Sequence, residues 1–172
     1  IIALIREIGT SGAYWVASAA DKIVADPMSI TGSISVISSY LEFSGLMERY
    51  GIGYEELATG EYKDIGSPYK KLTEKERILL QNKLNQIHSL FVKEITKNRN
   101  LPQARVDELA NGIFYLGVEA KDLGLVDYLG DIDLASDLIK KAANITEATL
   151  VRYEEEESLL DLLSKISSRI SF

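Results

Sequence analysis

The first twenty residues constrain the fold most. Ile1 to Ile8 is an apolar, β-branched run dense enough for a buried strand. Gly9-Thr10-Ser11-Gly12 breaks it, and Ala13 to Ala20 follows as a short helix of mostly small residues, which lets backbones pack closely. The rest of the chain keeps alternating. Ile23-Val24-Ala25 reads as a short strand stopped by Asp26-Pro27, and Thr31 to Ile37 joins a turn to strand-like alternation. Leu41 to Tyr50 is predicted helical, with Gly51 where a C-terminal glycine belongs. Tyr54 to Ala58 reads as another strand, followed by a turn-rich polar loop, Thr59 to Tyr69.

A long helix is predicted from Thr73 to Asn100. Thr73 and Glu76 have capping-box spacing, and Leu80, Leu84, Ile87, Phe91 and Ile95 recur at helical intervals. Pro102 opens a further helix that ends near Asn111-Gly112. A short strand (113–115), a short helix (118–123), an amphipathic helix (132–143) and a last strand (149–153) complete residues 1–153. Glu154 to Glu157 is an acidic run read as a solvated helix approach, and 159–170 reads as a final amphipathic helix. Its broad apolar face packs on its own domain or covers a neighbouring subunit. Short strands alternating with helices define an α/β domain.

Composition excludes several functions. At 172 residues the chain can build its own core. Zero Cys removes disulfides, thiolate nucleophiles and cysteine metal sites, and one His is too few for the usual zinc sites. No cofactor or metal is expected. A net charge of −7 argues against a nucleic-acid partner. No apolar run reaches the roughly 18 residues of a membrane span. The chain begins at Ile1 inside an apolar run, so an upstream part is expected, and any membrane anchor would lie there.

Ser11 is the first candidate for chemistry. A strand end, flanking glycines and a following helix N-terminus suit a nucleophile, because the turn exposes the hydroxyl and the helix offers N–H donors to an oxyanion. The pattern approaches the G-x-S-x-G elbow, with Ala13 in place of the last glycine. The plainer reading is a helix N-cap. A serine also needs a base. His88, the single histidine, lies on the long helix and reads as a helix-flank residue without chemistry. A lysine made neutral by burial is the remaining base type, and spacing alone does not say which.

Three segments, in order, resemble one family. SGAYWVASAADKIVADPMSITGSISVI, TGEYKDIGSPYKKLTEKER and NGIFYLGVEAKDLGLVDYLGDIDLA are similar to the motifs of the signal peptide peptidase A family, membrane-associated Ser-Lys proteases. Together they cover about residues 1–140, and Ser35 stands where the family usually has glycine. The resemblance implies roles. Ser11 matches the nucleophile, Lys63 the general base, Ser33 the serine that orients the lysine amine, and Gly12 the residue whose N–H gives one oxyanion donor. The second donor would come from a loop upstream of Ile1. Asp26 and Pro27 receive no role, and Tyr14 and Trp15 are read as core. For Lys63 the adjacent Glu61 and Asp64 are a concern, since nearby carboxylates would keep its amine protonated.

The implied fold is the Clp-protease/crotonase type, a spiral of ββα units with mixed sheets plus C-terminal helices. Residues 1–153 would be the C-terminal part of a protease catalytic domain, and 154–172 an acidic run and helix. The implied partners are peptide substrates (cleaved signal peptides and unfolded apolar segments) and further copies of the chain in a ring or dome, where one subunit alone need not complete a site. The implied location is membrane-associated and extracytoplasmic. Two other readings stand beside it. One is a crotonase-type acyl-CoA enzyme, which needs no Ser11–Lys63 pair. The other is a non-catalytic assembly module.

Overall fold

A computed structural model describes residues 1–153. The acidic run and the helix expected over 159–170 lie outside the described residues. By compactness the chain divides into Ile1–Ile139 and Lys140–Phe172. Among the described residues, the first unit holds the six strands and most of the helical residues. Of the second, the described part is the end of a helix begun in the first and an irregular stretch to Tyr153.

The single strand expected over 1–8 is two: β1 (Ile2–Ile5) and β2 (Ile8–Thr10). The chain bends at Arg6-Glu7, two exposed charged residues that a continuous buried strand could not accommodate. The bend brings Gly9 back against Ile5, where a Cβ on residue 9 would lie 2.9 Å from Ile5 Cγ2. Helix α1 (Gly12–Ser18), β3 (Lys22–Ala25) and β4 (Ile30–Gly32) follow. Next come α2 (Ser44–Arg49), α3 (Glu74–Arg99) and α4 (Gln103–Leu109). The chain continues through β5 (Phe114–Leu116), α5 (Gly117–Asp122), β6 (Tyr128–Leu129) and α6 (Ile132–Ala143).

The strands form two three-stranded sheets. One is parallel throughout, in the order β1-β3-β6. The other is mixed, in the order β2-β4-β5, with β4 parallel to β2 and antiparallel to β5. Successive strand pairs (β1 and β2, then β3 and β4, then β5 and β6) each give one strand to each sheet. The mixed sheet agrees with the α/β expectation.

The core gathers α1, α3 and α4 over the sheets. Tyr14, Ile23, Ile34, Ile95, Val106 and Leu125 are fully buried in one cluster. Trp15 of α1 stacks on Phe91 of α3, with ring centroids 4.4 Å apart. The Tyr14 hydroxyl donates to the Leu125 carbonyl at 2.8 Å, and burial pushes this phenol's pKa up, so it stays a neutral donor. Tyr14 is therefore core, as the sequence suggests, and Trp15 is half-buried and packs against that core.

A partly buried ion pair ties the end of α3 to this frame. Arg99, its side chain only 7% exposed, donates to Asp127 at 2.9 Å and also to the Gly124 carbonyl. Asp127 in turn accepts from the Ile23 backbone N–H at 2.8 Å, which fixes the start of β3. Burial opposes ionisation of Asp127. The hydrogen bonds from Arg99 and Ile23, with the charges of Arg99 and Lys22, outweigh it and hold the carboxyl below its ordinary pKa.

Two expected strands are absent. Residues 54–58 and 149–153 are irregular, and Leu57 is 94% exposed. Their alternation is strand-like, but among the described residues neither is paired with a strand. The expected strand over 31–37 is confined to Ile30–Gly32. Asp26-Pro27 forms a turn, with the Met28 N–H on Asp26 Oδ1 and the Ser29 N–H on Asp26 O.

Candidate active site

Ser11 sits at the junction of β2 and α1. Thr10 lies opposite Gly32 in the β2–β4 register, and one residue later the Ser11 N–H donates to the Gly32 carbonyl at 2.8 Å. The Ser11 carbonyl accepts from the Trp15 N–H at 2.9 Å, closing the first turn of α1. Pinned on both sides, Ser11 adopts φ 54°, ψ −122°. A β-carbon is disfavoured there, at a cost of about 1–3 kcal/mol.

The hydroxyl gains nothing from this position. It makes no side-chain cap on α1 and no other hydrogen bond among the described residues, and Ser11 is exposed. Helix capping therefore does not account for the serine. The space beside it is open, with no atom within 4 Å of where a Cβ on Gly12 would stand. Trp15 and Val16 of α1 and Ala19 just after it, with Glu94 and Asn98 of α3, line an open groove next to Gly12.

Ser33 follows Gly32 and is half-buried. Its N–H donates to Ile113 O at 2.9 Å and its hydroxyl to Gly112 O at 3.1 Å. Ser33 has φ 52° and Gly32 φ 76°. Gly32 is required for a second reason: a Cβ there would stand 2.7 Å from Tyr115 Cδ2. The structure thus brings the two serine-bearing segments side by side on β2 and β4, joined by the hydrogen bond from Ser11 to Gly32. The two hydroxyls share no hydrogen bond.

Lys63 lies apart from this ladder, in a run of turns over 60–66. Its N–H donates to the Gly60 carbonyl at 3.1 Å, and its side chain is exposed. Among the described residues no hydrogen bond or ion pair joins its amine to Ser11 or Ser33. The neighbouring acids are engaged elsewhere. Asp64 pairs with Lys70, and the same ammonium pairs with Glu76 at 3.0 Å. Glu61 pairs with Lys75 at 2.6 Å. These lysines hold both carboxyls below their ordinary pKa, Asp64 chiefly through the Lys70 hydrogen bond and Glu61 chiefly through that of Lys75. Glu76 closes the α3 capping box with Thr73, whose N–H and hydroxyl both donate to it at 2.8 Å.

His88 is placed as the sequence suggests. Its Nε2 lies 3.0 Å from the Ala110 carbonyl, a contact between α3 and the end of α4. Sequence reasoning missed the roles of Lys70, Arg99 and Asp127. The first lies within the TGEYKDIGSPYKK segment and the last ends G-L-V-D, but their partners are set only by the fold. Among the described residues no cluster of three His, Asp or Glu could hold a metal ion, and no helix is long and apolar enough to cross a membrane.

Residues 1–146 match the family described as peptidase family S49. A protein of Methanocaldococcus jannaschii provisionally named a protease is 36% identical over 158 residues, covering 92% of this chain and 51% of its own length. A provisionally named signal peptide peptidase SppA of Enterococcus faecium is 36% identical over 151 residues, 88% of this chain and 44% of that protein. The chloroplastic serine protease SPPA of Arabidopsis thaliana is 31% identical over 175 residues, 99% of this chain and 26% of that protein. This chain thus spans about half the length of the first two relatives. With the match running from the strand that leads into Ser11 through the helix after Asp127, the chain belongs to peptidase family S49.

Proposed function

We propose that this chain carries the catalytic dyad of a serine endopeptidase, with Ser11 as nucleophile and Lys63 as general base. The observation that carries the reading is the strained Ser11 backbone, which presents at a strand–helix junction an exposed hydroxyl with no hydrogen bond among the described residues. Membership in the peptidase family and relatives named as proteases support it. Glu61 and Asp64 pair with Lys75 and Lys70 rather than with Lys63, whose side chain is exposed in this chain and not buried as the sequence reading expects of a base.

The chemistry balances as follows. Neutral Lys63 accepts the Ser11 proton while Ser11 Oγ bonds to the scissile carbonyl carbon. The oxyanion is held by the Gly12 N–H and a second donor supplied from upstream of Ile1. Collapse breaks the C–N bond, and the Lys63 ammonium gives its proton to the departing amine. Lys63 then takes a proton from water, whose oxygen bonds to the ester carbon; collapse breaks the C–Oγ bond, and the Lys63 ammonium returns that proton to Ser11 Oγ. The Ser33 hydroxyl donates to Gly112 and keeps lone pairs with which to accept a Lys63 N–H. No cofactor enters the scheme.

The proposed substrates are cleaved signal peptides and other apolar or unfolded segments. The proposed assembly is a ring or dome of copies, membrane-associated and extracytoplasmic, with the anchor upstream. We read residues 1–153 as the C-terminal part of the catalytic domain and the strand pairs shared between two sheets as turns of a ββα spiral of the Clp-protease/crotonase type.

The test is fluorophosphonate labelling of the full-length protein from pH 6 to 9. Labelling at Ser11 that rises with pH and is lost in Lys63→Ala supports the dyad. Absence of labelling at every pH overturns it.

A further inference from the structure

The groove beside Gly12 has a volume of about 450 Å³ and lies between α1 and α3. Gly12, Trp15, Val16 and Ala19 recur at helical spacing and so share one face of α1. Trp15 is held by its stacking on Phe91, and Val16, 78% exposed, adds accessible apolar surface. Glu94 and Asn98, one turn apart on α3, supply the polar lining. Both offer unused acceptors. Glu94 is half-buried, and among the described residues no hydrogen bond or ion pair reaches its carboxylate. Lys93 and Lys97 on the same helix are exposed and form no ion pair with it. The Ser18 hydroxyl donates its one proton to the Trp15 carbonyl at 2.7 Å, so it accepts from Asn98 Nδ2 at 3.0 Å. That orients the amide and leaves Asn98 Oδ1 without a donor among the described residues.

A carboxylate, an amide oxygen and an aromatic surface in one groove match a long side chain that ends in a cation. Its methylenes would lie on Trp15 and Val16, and its N–H groups would meet Glu94 and Asn98. We propose that this groove is a subsite for a lysine or arginine of the peptide substrate, with Glu94 as its specificity-determining residue. This rests on the reading of Ser11 as nucleophile, which puts the scissile carbonyl at the Gly12 end of the groove. From Gly12 to Ala19 the helix rises about 10 Å, the length of roughly three extended residues. The basic residue therefore lies within about three residues of the bond that is cut. Apolar segments would be cut near a cation rather than along their whole length.

The experiment uses the full-length protein and a quenched fluorogenic peptide of Ala, Leu and Gln in which one residue at a time is replaced by Arg, Glu or norleucine. Product masses identify the cut bond, and kcat/KM is compared position by position. The wild type should favour Arg over norleucine about tenfold at one position near the cut, the size of one charge-assisted hydrogen bond. Glu94→Gln should remove that preference, and Glu94→Lys should turn it toward Glu at the same position. A wild type without an Arg preference near the cut, or a preference that survives Glu94→Gln, would overturn the inference. Labelling of Ser11 by a small uncharged fluorophosphonate reports on the dyad separately. If the wild type neither labels nor cleaves, the dyad falls, and fluorescence anisotropy with the same peptides decides the groove. Tighter binding of the Arg peptide that is lost in Glu94→Gln then supports it, and equal binding of the Arg and norleucine peptides overturns it.

Discussion

Ser11 and Lys63 are seated by opposite means. The serine is fixed by backbone: a strand register, the hydrogen bond to Gly32 and the first turn of α1, over a core that includes Tyr14. The lysine is carried on turns between α2 and α3 that belong to no sheet, held to α3 by ion pairs and a capping box. Backbone ladders over a buried core are hard to deform and indifferent to salt. Exposed and half-exposed ion pairs respond to both salt and pH. The proposed nucleophile is thus rigidly seated, while the proposed base sits on a segment whose setting depends on ionic conditions.

The widest test of that contrast is on turnover. Ser11→Ala and Lys63→Ala should each lower peptide cleavage by a factor on the order of 10³ or more, while leaving the thermal midpoint almost unchanged. A Lys63→Ala enzyme with near-normal cleavage would remove the lysine from the comparison.

Gly32→Ala should damage the serine side alone. The new methyl meets Tyr115 and forces a residue with a β-carbon to φ 76°, for a loss of about 2–3 kcal/mol in denaturant unfolding. Labelling at Ser11 should fall with it, since the Gly32 carbonyl holds the Ser11 N–H.

Asp127→Asn should cost about 2–4 kcal/mol at neutral pH, by leaving the buried Arg99 without its counter-charge. The Asp127 pKa is lowered in the fold, so this contribution is complete above the ordinary aspartate value of ~3.9 and is lost as pH falls through the lower folded value. Melting curves of wild type and variant should therefore converge in acid. Parallel curves from pH 7 to 2.5 would contradict the assignment.

Ser11→Gly should stabilise the fold by about 1 kcal/mol while abolishing labelling, because glycine relieves the φ 54° strain. Thr73→Ala should show the smallest effect, about 1 kcal/mol from the lost cap of α3. If it also slowed labelling, the cap would be part of what places Lys63.

Local signals explain which parts of this architecture were readable. The capping box, the helical period of α3 and the glycine turn around Ser11 are short-range, and each appears where the sequence points. The bend at Arg6-Glu7 and the two-residue β6 depend on pairing with strands far along the chain, so apolar runs alone merge the first and overlook the second. Tyr54 to Ala58 shows the reverse, a strand pattern without a partner. At the site, the order of motifs singled out Ser11, Ser33 and Lys63. The unused Ser11 hydroxyl and the choice of Lys70 over Lys63 as partner for Asp64 are facts of three-dimensional competition. A neighbour one residue away loses there to one six residues away.

The hydrogen bond from Tyr14 to Leu125 spans 111 residues. A ribosome adding about 5–20 residues per second needs roughly 5–20 s to cover that distance. Through that interval the serine has emerged while the strut beneath its helix has not yet been made. Asp127, which fixes the start of β3, arrives two residues later still. The proposed nucleophile is therefore synthesised well before the contacts that complete the packing beneath its helix.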